Sequence, residues 1–207
     1  MREAILIPLG YLLGSMPWGY WIPLVFGRVD IRRLGSGNVG ATNVWRALGF
    51  KYGLTVALLD IMKGLAAGLI GTLAGDATIG VLAGTAALAG HWRPVFLGFA
   101  KGGKVVAVTG GVGLAVAPVA SLAAALVWIL VFLLLRYASL ASIVAGIAFP
   151  VFAVAMRASW PVLGFAMGAG LAIVVLHRTN VVRLARGEER RFEFSVLGRR
   201  GSSASQA

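Results

Sequence analysis

The chain has 207 residues, 59% of them hydrophobic, with a mean hydropathy of +0.88 and only 13% charged residues. That composition describes a polytopic membrane protein and excludes a soluble domain built on one buried core. With no cysteine it also excludes a disulfide framework, a thiolate nucleophile and a Cys-based metal site. The net charge of +12 would suggest nucleic acid in a soluble protein. In a membrane protein it reads instead as the Lys and Arg that cytoplasmic loops collect, so no nucleic-acid partner is expected. Glu3 follows Arg2, and no small-residue cleavage site is visible. The first apolar stretch therefore reads as a retained helix, not a signal peptide.

Residues 4–26 form the first span, which Pro8, Pro17, Pro23 and the Gly14-Ser15 patch predict to be kinked. The loop at 27–51 contains the longest run that is polar without being highly charged, from Gly35 to Arg46. Gly35, Gly37 and Gly40 permit positive φ and a close backbone approach, and successive N–H groups in such a turn make an anion-binding nest. Ser36, Asn38, Thr42 and Asn43 add neutral donors and Arg46 a forked cationic one. With no carboxylate in the run, it suits a phosphate and not a metal. The Gly35-x-Gly37-x-x-Gly40 spacing matches a dinucleotide fingerprint by letter only, because it follows a membrane span instead of a strand.

The second span, at 53–74, carries Asp60 and Lys63 on one helix face. Such a pair is either functional or an internal pair that fixes packing. The third, at 77–92, ends near His91. In the second loop Lys101 and Lys104 flank Gly102 and Gly103, two flexible glycines suited to a second phosphate group. Gly98-x-x-x-x-Gly103-Lys104 is not a P-loop, since Val105 stands where the Mg²⁺-binding Ser or Thr belongs. Residues 105–136 are almost wholly apolar and broken by Pro118, and spans end near Met156 and Leu176. His177 and Asn180 then share a face, and His91 lies at the same membrane depth. Residues 1–198 are expected to form one domain, with 199–207 a disordered tail.

Both loops and the tail are basic, so all three should be cytoplasmic. This holds only if 105–136 crosses twice, turning near Pro118. The expected fold is therefore an all-α polytopic membrane protein of seven transmembrane helices, several of them short, with the N-terminus out and the C-terminus in. Of the nineteen basic residues, all but Arg2, Lys63 and Arg157 then lie in or beside cytoplasmic segments. Three anion-binding segments on one face, with apolar walls behind them, imply one composite phosphate site. That describes an enzyme joining a phosphorylated soluble molecule to a lipid chain. A transporter of a phosphorylated solute is the competing class, but the anion chemistry is one-sided and no internal repeat is visible.

Across about residues 1–194 the chain resembles the bacterial acyl-phosphate-dependent glycerol-3-phosphate acyltransferases. The resemblance rests on 13–19, Asp30-Ile31-Arg32 leading into Gly35–Arg46, Asp60-x-x-Lys63-Gly64, Gly90-His91 through Lys104, Ser139–Ser142 and His177-Arg178-x-Asn180-x-x-Arg183-Leu184. It implies attack by the 1-hydroxyl of glycerol 3-phosphate on an acyl phosphate, giving lysophosphatidate and phosphate in a bacterial inner membrane, with no cofactor and no metal. The lipid bilayer and the acyl-phosphate-producing enzyme are the expected partners. Under that reading Arg46, Lys104, His177, Asn180 and Ser142 hold glycerol 3-phosphate. Ser36, Asn38, the 35–40 backbone and Lys101 serve the acyl phosphate and its oxyanion, while Asp60, Lys63 and His91 support. The general base is His177 or a substrate phosphate oxygen; a Ser36 acyl-enzyme is the weaker option, as no triad-like partner is visible. The second loop departs from the family pattern at Ala100, Val105 and Val108, with Thr109 displaced by one. Val105 stands where the family has Gly and cannot cheaply take positive φ, which predicts a re-registered loop and a weaker or inactive enzyme.

Overall fold

The computed structural model describes residues 5–192. Within them the chain is helical, with no strand: α1 (Leu6–Ser15), α2 (Trp18–Gly27), α3 (Ala41–Leu48), α4 (Phe50–Ala74), α5 (Ala77–Trp92), α6 (Val106–Val116), α7 (Pro118–Leu135), α8 (Ala138–Ala155), α9 (Trp160–Leu176) and α10 (Arg178–Ala185). Two 3₁₀ turns, Ile31–Arg33 and Val95–Leu97, shape the two long loops. The tail expected at 199–207 lies outside the described residues.

Three helices, α4, α7 and α8, are long and apolar enough to cross a membrane singly, and α9 with α10 makes a fourth bent by 55°. The remaining apolar helices are shorter. The first span is broken at Met16–Pro17, because Pro17 lacks the N–H that would continue α1. Pro8 sits in the first turn of α1, where that loss is harmless. The apolar stretch after the second loop divides as expected: α6 ends at Val116, and Pro118 starts α7 after the single residue Ala117. The 11 residues of α6 extend only about 16 Å.

α4 is the central strut, packed against α6, α5 and α1, while α7, α8 and α9 follow one another along the outside. Hydrophobic driving force between helices is weak in lipid, so close approach through small residues carries the packing. A Cβ on Gly64 of α4 would run into the Val108 carbonyl of α6, and one on Gly111 of α6 into the Ile61 carbonyl of α4. The outward face of α7 carries Leu122, Leu126, Leu130 and Leu133, all more than half or about half exposed, as a surface solvated by lipid requires.

Gly64→Val should therefore lower stability by roughly 1–3 kcal/mol or more through overpacking. Gly110→Ala, whose Cβ meets open space, should be neutral or slightly stabilising. Thermal unfolding of the detergent-solubilised protein separates them; equal melting temperatures would refute the α4–α6 contact.

Candidate active site

The first loop is organised from inside by Asn43, on the first turn of α3 and 2% exposed. Its Oδ1 accepts from Ser36 N at 3.0 Å, and its Nδ2 donates to the carbonyls of Leu34 at 3.0 Å, Asn38 at 3.1 Å and Ile31 at 3.3 Å. Asn43 thus holds the loop and does not offer its donors to a ligand. Gly35 and Gly37 have φ of 60° and 68°, as their spacing predicts. Gly40 is extended at φ −137°; it caps α3 and leaves room for the Asn38 amide, which a Cβ there would strike.

The nest expected over 35–40 is partly consumed by the loop itself. Ser36 N bonds Asn43, Gly37 N bonds Leu34 O at 3.0 Å, and Asn38 N meets Ser36 Oγ at 3.4 Å. The groups left facing outward are the exposed Ser36 hydroxyl, the half-buried Asn38 and Thr42, and the first amides of α3, those of Ala41 and Thr42, ahead of Asn43 N and Val44 N, which bond Gly40 O.

The second loop rests on a buried ion pair. Lys63 Nζ lies 2.8 Å from Asp60 Oδ1, 2.8 Å from Met16 O and 2.9 Å from His91 Nδ1. Lys63 occupies the position between Asp60 and His91 that a metal ion would need. His91 belongs with this pair. A Cβ on Gly103 would strike the His91 ring, and one on Gly102 the His91 carbonyl. Neither glycine has positive φ. They are therefore buried for close approach, not flexible. The residues that do take the left-handed region are Gly98, Phe99 and Val105, at 59°, 60° and 57°. Val105 adopts the conformation it resists, as the N-cap of α6 and 2% exposed, while Val108 is fully buried against Gly64. Burial of the two valines accompanies the strain, and Lys104 remains in reach of Asn180.

Lys104 Nζ donates to Asn180 Oδ1. Asn180 Nδ2 donates to Glu189 Oε1 at 2.7 Å, as does Ser139 Oγ at 2.7 Å, and Arg183 Nε donates to Glu189 Oε2 at 2.8 Å. Arg46 reaches the same tail segment: Nη2 donates to Arg190 O at 2.9 Å, and its guanidinium stacks 4.5 Å above the Phe192 ring. The two loops, α8, α10 and the tail therefore meet at residues 187–192, so the three basic segments do form one cluster. His177, buried at the bend between α9 and α10, has Nδ1 2.8 Å from Ile173 O. A carbonyl only accepts, so Nδ1 carries the hydrogen and Nε2 is left with the lone pair. Lys101 is exposed. The Ser142 hydroxyl is engaged inside α8 and α7, donating to Ala138 O at 2.7 Å and accepting from Trp128 Nε1 at 3.0 Å; the serine bonded into the cluster is Ser139.

Sequence reasoning missed Glu189. The tail reads as basic, and the available signal was a single acidic pair, Glu188-Glu189, six residues beyond Arg183. Burial opposes its charge, but hydrogen bonds from Arg183, Ser139 and Asn180 hold its carboxyl below the usual range. Burial, reinforced by the Arg183 charge, pulls Lys104 down to about 8.

A family model described as glycerol-3-phosphate acyltransferase matches residues 4–187. A glycerol-3-phosphate acyltransferase of Desulforudis audaxviator is 45% identical over 194 residues, covering 94% of this chain and 98% of that one. One of Aquifex aeolicus is 46% identical, covering 93% and 100%. A solved integral membrane glycerol 3-phosphate acyltransferase, PlsY, in its glycerol 3-phosphate form superposes with a TM-score of 0.89 at 45% identity, over 93% of this chain and 96% of that one. Its lysophosphatidic acid form gives 0.86 at 42% identity, with the same coverage.

Lys104 is charged below its pKa and neutral above it. Affinity for a phosphate monoester, already a dianion above about pH 7, should fall as pH rises through about 8. Lys104→Arg, which stays charged, should flatten that profile even if its geometry weakens binding. Titration calorimetry across this range checks it; a flat profile in the unaltered protein would remove Lys104 from the site.

Proposed function

The chain belongs to the glycerol-3-phosphate acyltransferase family, and on that premise we propose that it acylates the 1-hydroxyl of glycerol 3-phosphate from acyl phosphate at the cytoplasmic face of a bacterial inner membrane. The observation that carries this is the convergence of Arg46, Lys104, Asn180 and Arg183 on one tail segment, beside an apolar groove. Seven crossings with the N-terminus out remain our topology, with α1 and α2 as the broken first span and α5 and α6 as short ones. Both loops and the tail then face the cytoplasm.

Each substrate carries one phosphate, and the site offers two cationic or N–H-rich cradles. Lys104, Asn180 and Arg46 take glycerol 3-phosphate. Ser36, Asn38, Thr42, the α3 amide groups and Lys101 take the acyl phosphate and the developing oxyanion. The groove has a volume of about 570 Å³ and runs between α5 and α9, lined by Leu88, Phe165, Gly164 and Gly168. Its polar end is marked by Trp92, Val105 and Leu176, the chain neighbours of His91, Lys104 and His177. It suits the acyl chain.

The 1-hydroxyl oxygen attacks the acyl carbonyl carbon, and the carbonyl electrons move to an oxyanion held by the first loop. The proton passes to His177 Nε2. Collapse of the intermediate re-forms the carbonyl, breaks the acyl–phosphate bond and releases phosphate. Phosphate is already a good leaving group, so orientation and electrostatics supply most of the rate without a covalent enzyme intermediate. Among the described residues the hydrogen-bond neighbour of the Ser36 hydroxyl is Asn38 N, a donor that cannot act as its base.

Purified protein given palmitoyl phosphate and glycerol 3-phosphate should release phosphate and lysophosphatidate in equal amounts; release without the acceptor would indicate a hydrolase. His177→Ala should lower kcat by roughly 10²–10⁴-fold, and near-intact turnover would exclude it as the base. Gly168→Leu, which fills the groove, should raise KM for palmitoyl phosphate more than for a short-chain acyl phosphate. Equal effects on both chain lengths would place the chain elsewhere.

A further inference from the structure

Glu189 is an acid in a site assembled to hold anions, and its side chain is only 5% exposed. Among the described residues, its hydrogen bonds are to members of the cluster. Ser139 and Asn180 donate to Oε1, and Arg183 donates to Oε2. A carboxylate only accepts, so it fixes which end of the Asn180 amide faces it. The amide nitrogen turns to Glu189, and Oδ1 is left pointing at Lys104 Nζ. One of the three ammonium hydrogens is used on that oxygen, and two remain for a ligand.

The segment that carries Glu189 is fixed before the bonded acid, where Glu188 N donates to Arg183 O at 2.8 Å, and again just beyond it. Phe192 N donates to Arg136 O at 2.8 Å, and the Phe192 ring is buried 4.7 Å from Trp45 and 5.2 Å from Phe132. Arg190 O is held by Arg46. Glu189 is thus anchored and not poised to leave.

We propose that Glu189 is a positioning residue for the glycerol 3-phosphate half of the site. It sets the Asn180 amide, which aims the Lys104 ammonium at the substrate phosphate, and through Ser139 it fixes α10 against α8. This rests on the acyltransferase reading. The opposing possibility is that the carboxylate stands in for the substrate phosphate and competes with it. The two differ in sign: loss of a positioning group raises KM for glycerol 3-phosphate, and loss of a competitor lowers it.

The test measures Glu189→Gln, Glu189→Asp and the unaltered protein with palmitoyl phosphate and glycerol 3-phosphate. Glutamine keeps the volume but replaces one acceptor with a donor, so the three bonds cannot all be kept: one is lost if its oxygen stands at Oε1 and two if it stands at Oε2. The expected result is a rise of tenfold or more in KM for glycerol 3-phosphate with KM for palmitoyl phosphate within twofold, and an intermediate value for Glu189→Asp. Thermal unfolding with and without glycerol 3-phosphate gives a second readout. Glu189→Gln should keep the unliganded melting temperature within a few degrees and lose most of the shift that glycerol 3-phosphate produces. An unchanged or lowered KM for glycerol 3-phosphate overturns the assignment, as does an equal rise in both KM values with a collapsed melting temperature. If the unaltered protein makes no lysophosphatidate, the acyltransferase reading falls and takes this one with it. If it does and Glu189→Gln matches it, this one falls alone.

Discussion

One ammonium group holds the architecture and the site together. Lys63 and Asp60 are each 3% exposed, and neither charge would be tolerated there without the other, since an unpaired buried ion costs several kcal/mol. Lys63 has three partners for its three hydrogens: the Asp60 carboxylate, the Met16 carbonyl and His91 Nδ1. The Met16 carbonyl is exposed by the break that Pro17 makes, so Lys63 caps the broken first span from α4. Because His91 accepts at Nδ1, its Nε2 bears the hydrogen, and the Nε2 edge of its ring abuts Gly103. Gly102 N and Gly103 N then bond the Trp92 and His91 carbonyls at 2.9 and 3.0 Å. The next residue is Lys104. Its direction toward Asn180 is therefore set from behind by a buried pair.

The first loop reaches the same end by a neutral device. Asn43 makes four bonds to loop backbone, one as acceptor and three as donor. Aspartate could supply the acceptor but none of the donors, and leucine neither, so the amide itself is required. In a site meant for phosphate, an uncharged organiser avoids adding a negative field. The acid bonded into the cluster among the described residues, Glu189, accepts from three donors, one of them the cation Arg183.

Much of this was legible from residue types and spacing. The all-helical membrane class, the turn at Pro118, the Asp60–Lys63 pair and the meeting of three basic segments follow from hydropathy, proline, helix periodicity and charge. What was misjudged required three-dimensional neighbours. Gly40, Gly102 and Gly103 look like hinges in one dimension, but two of them are glycine because a histidine ring and a carbonyl approach them. Val105 looked prohibitive by its intrinsic φ preference, yet burial holds it in the left-handed region, a tertiary override of a local preference. Ser142 and Ser139 are three apart on one helix, and only contacts with Trp128 and Glu189 tell which faces the cluster. Glu189 itself was hidden by the arginines around it.

The placement of the site follows from what a bilayer demands of backbone. Lipid offers no hydrogen bonds, so every carbonyl released where a helix breaks must find a partner inside the protein. At Met16 that partner is Lys63. At the Ala117 break, Ser121 of α7 turns back onto α6, its Oγ donating to the Gly110 carbonyl at 2.9 Å. At the 55° bend after α9, the Ile173 carbonyl accepts from His177 N at 3.0 Å and also from His177 Nδ1 at 2.8 Å. Breaks thus recruit polar and ionisable side chains to depths where such groups are otherwise costly. Two of these three breaks lie at the edge of the cluster, and the groups they recruit, Lys63 and His177, are the ones that aim the second loop and present a free imidazole nitrogen. In the mechanism we propose, the backbone requirement and the catalytic requirement are met by the same side chains, so that a chain this apolar keeps polar and charged residues where that chemistry would need them.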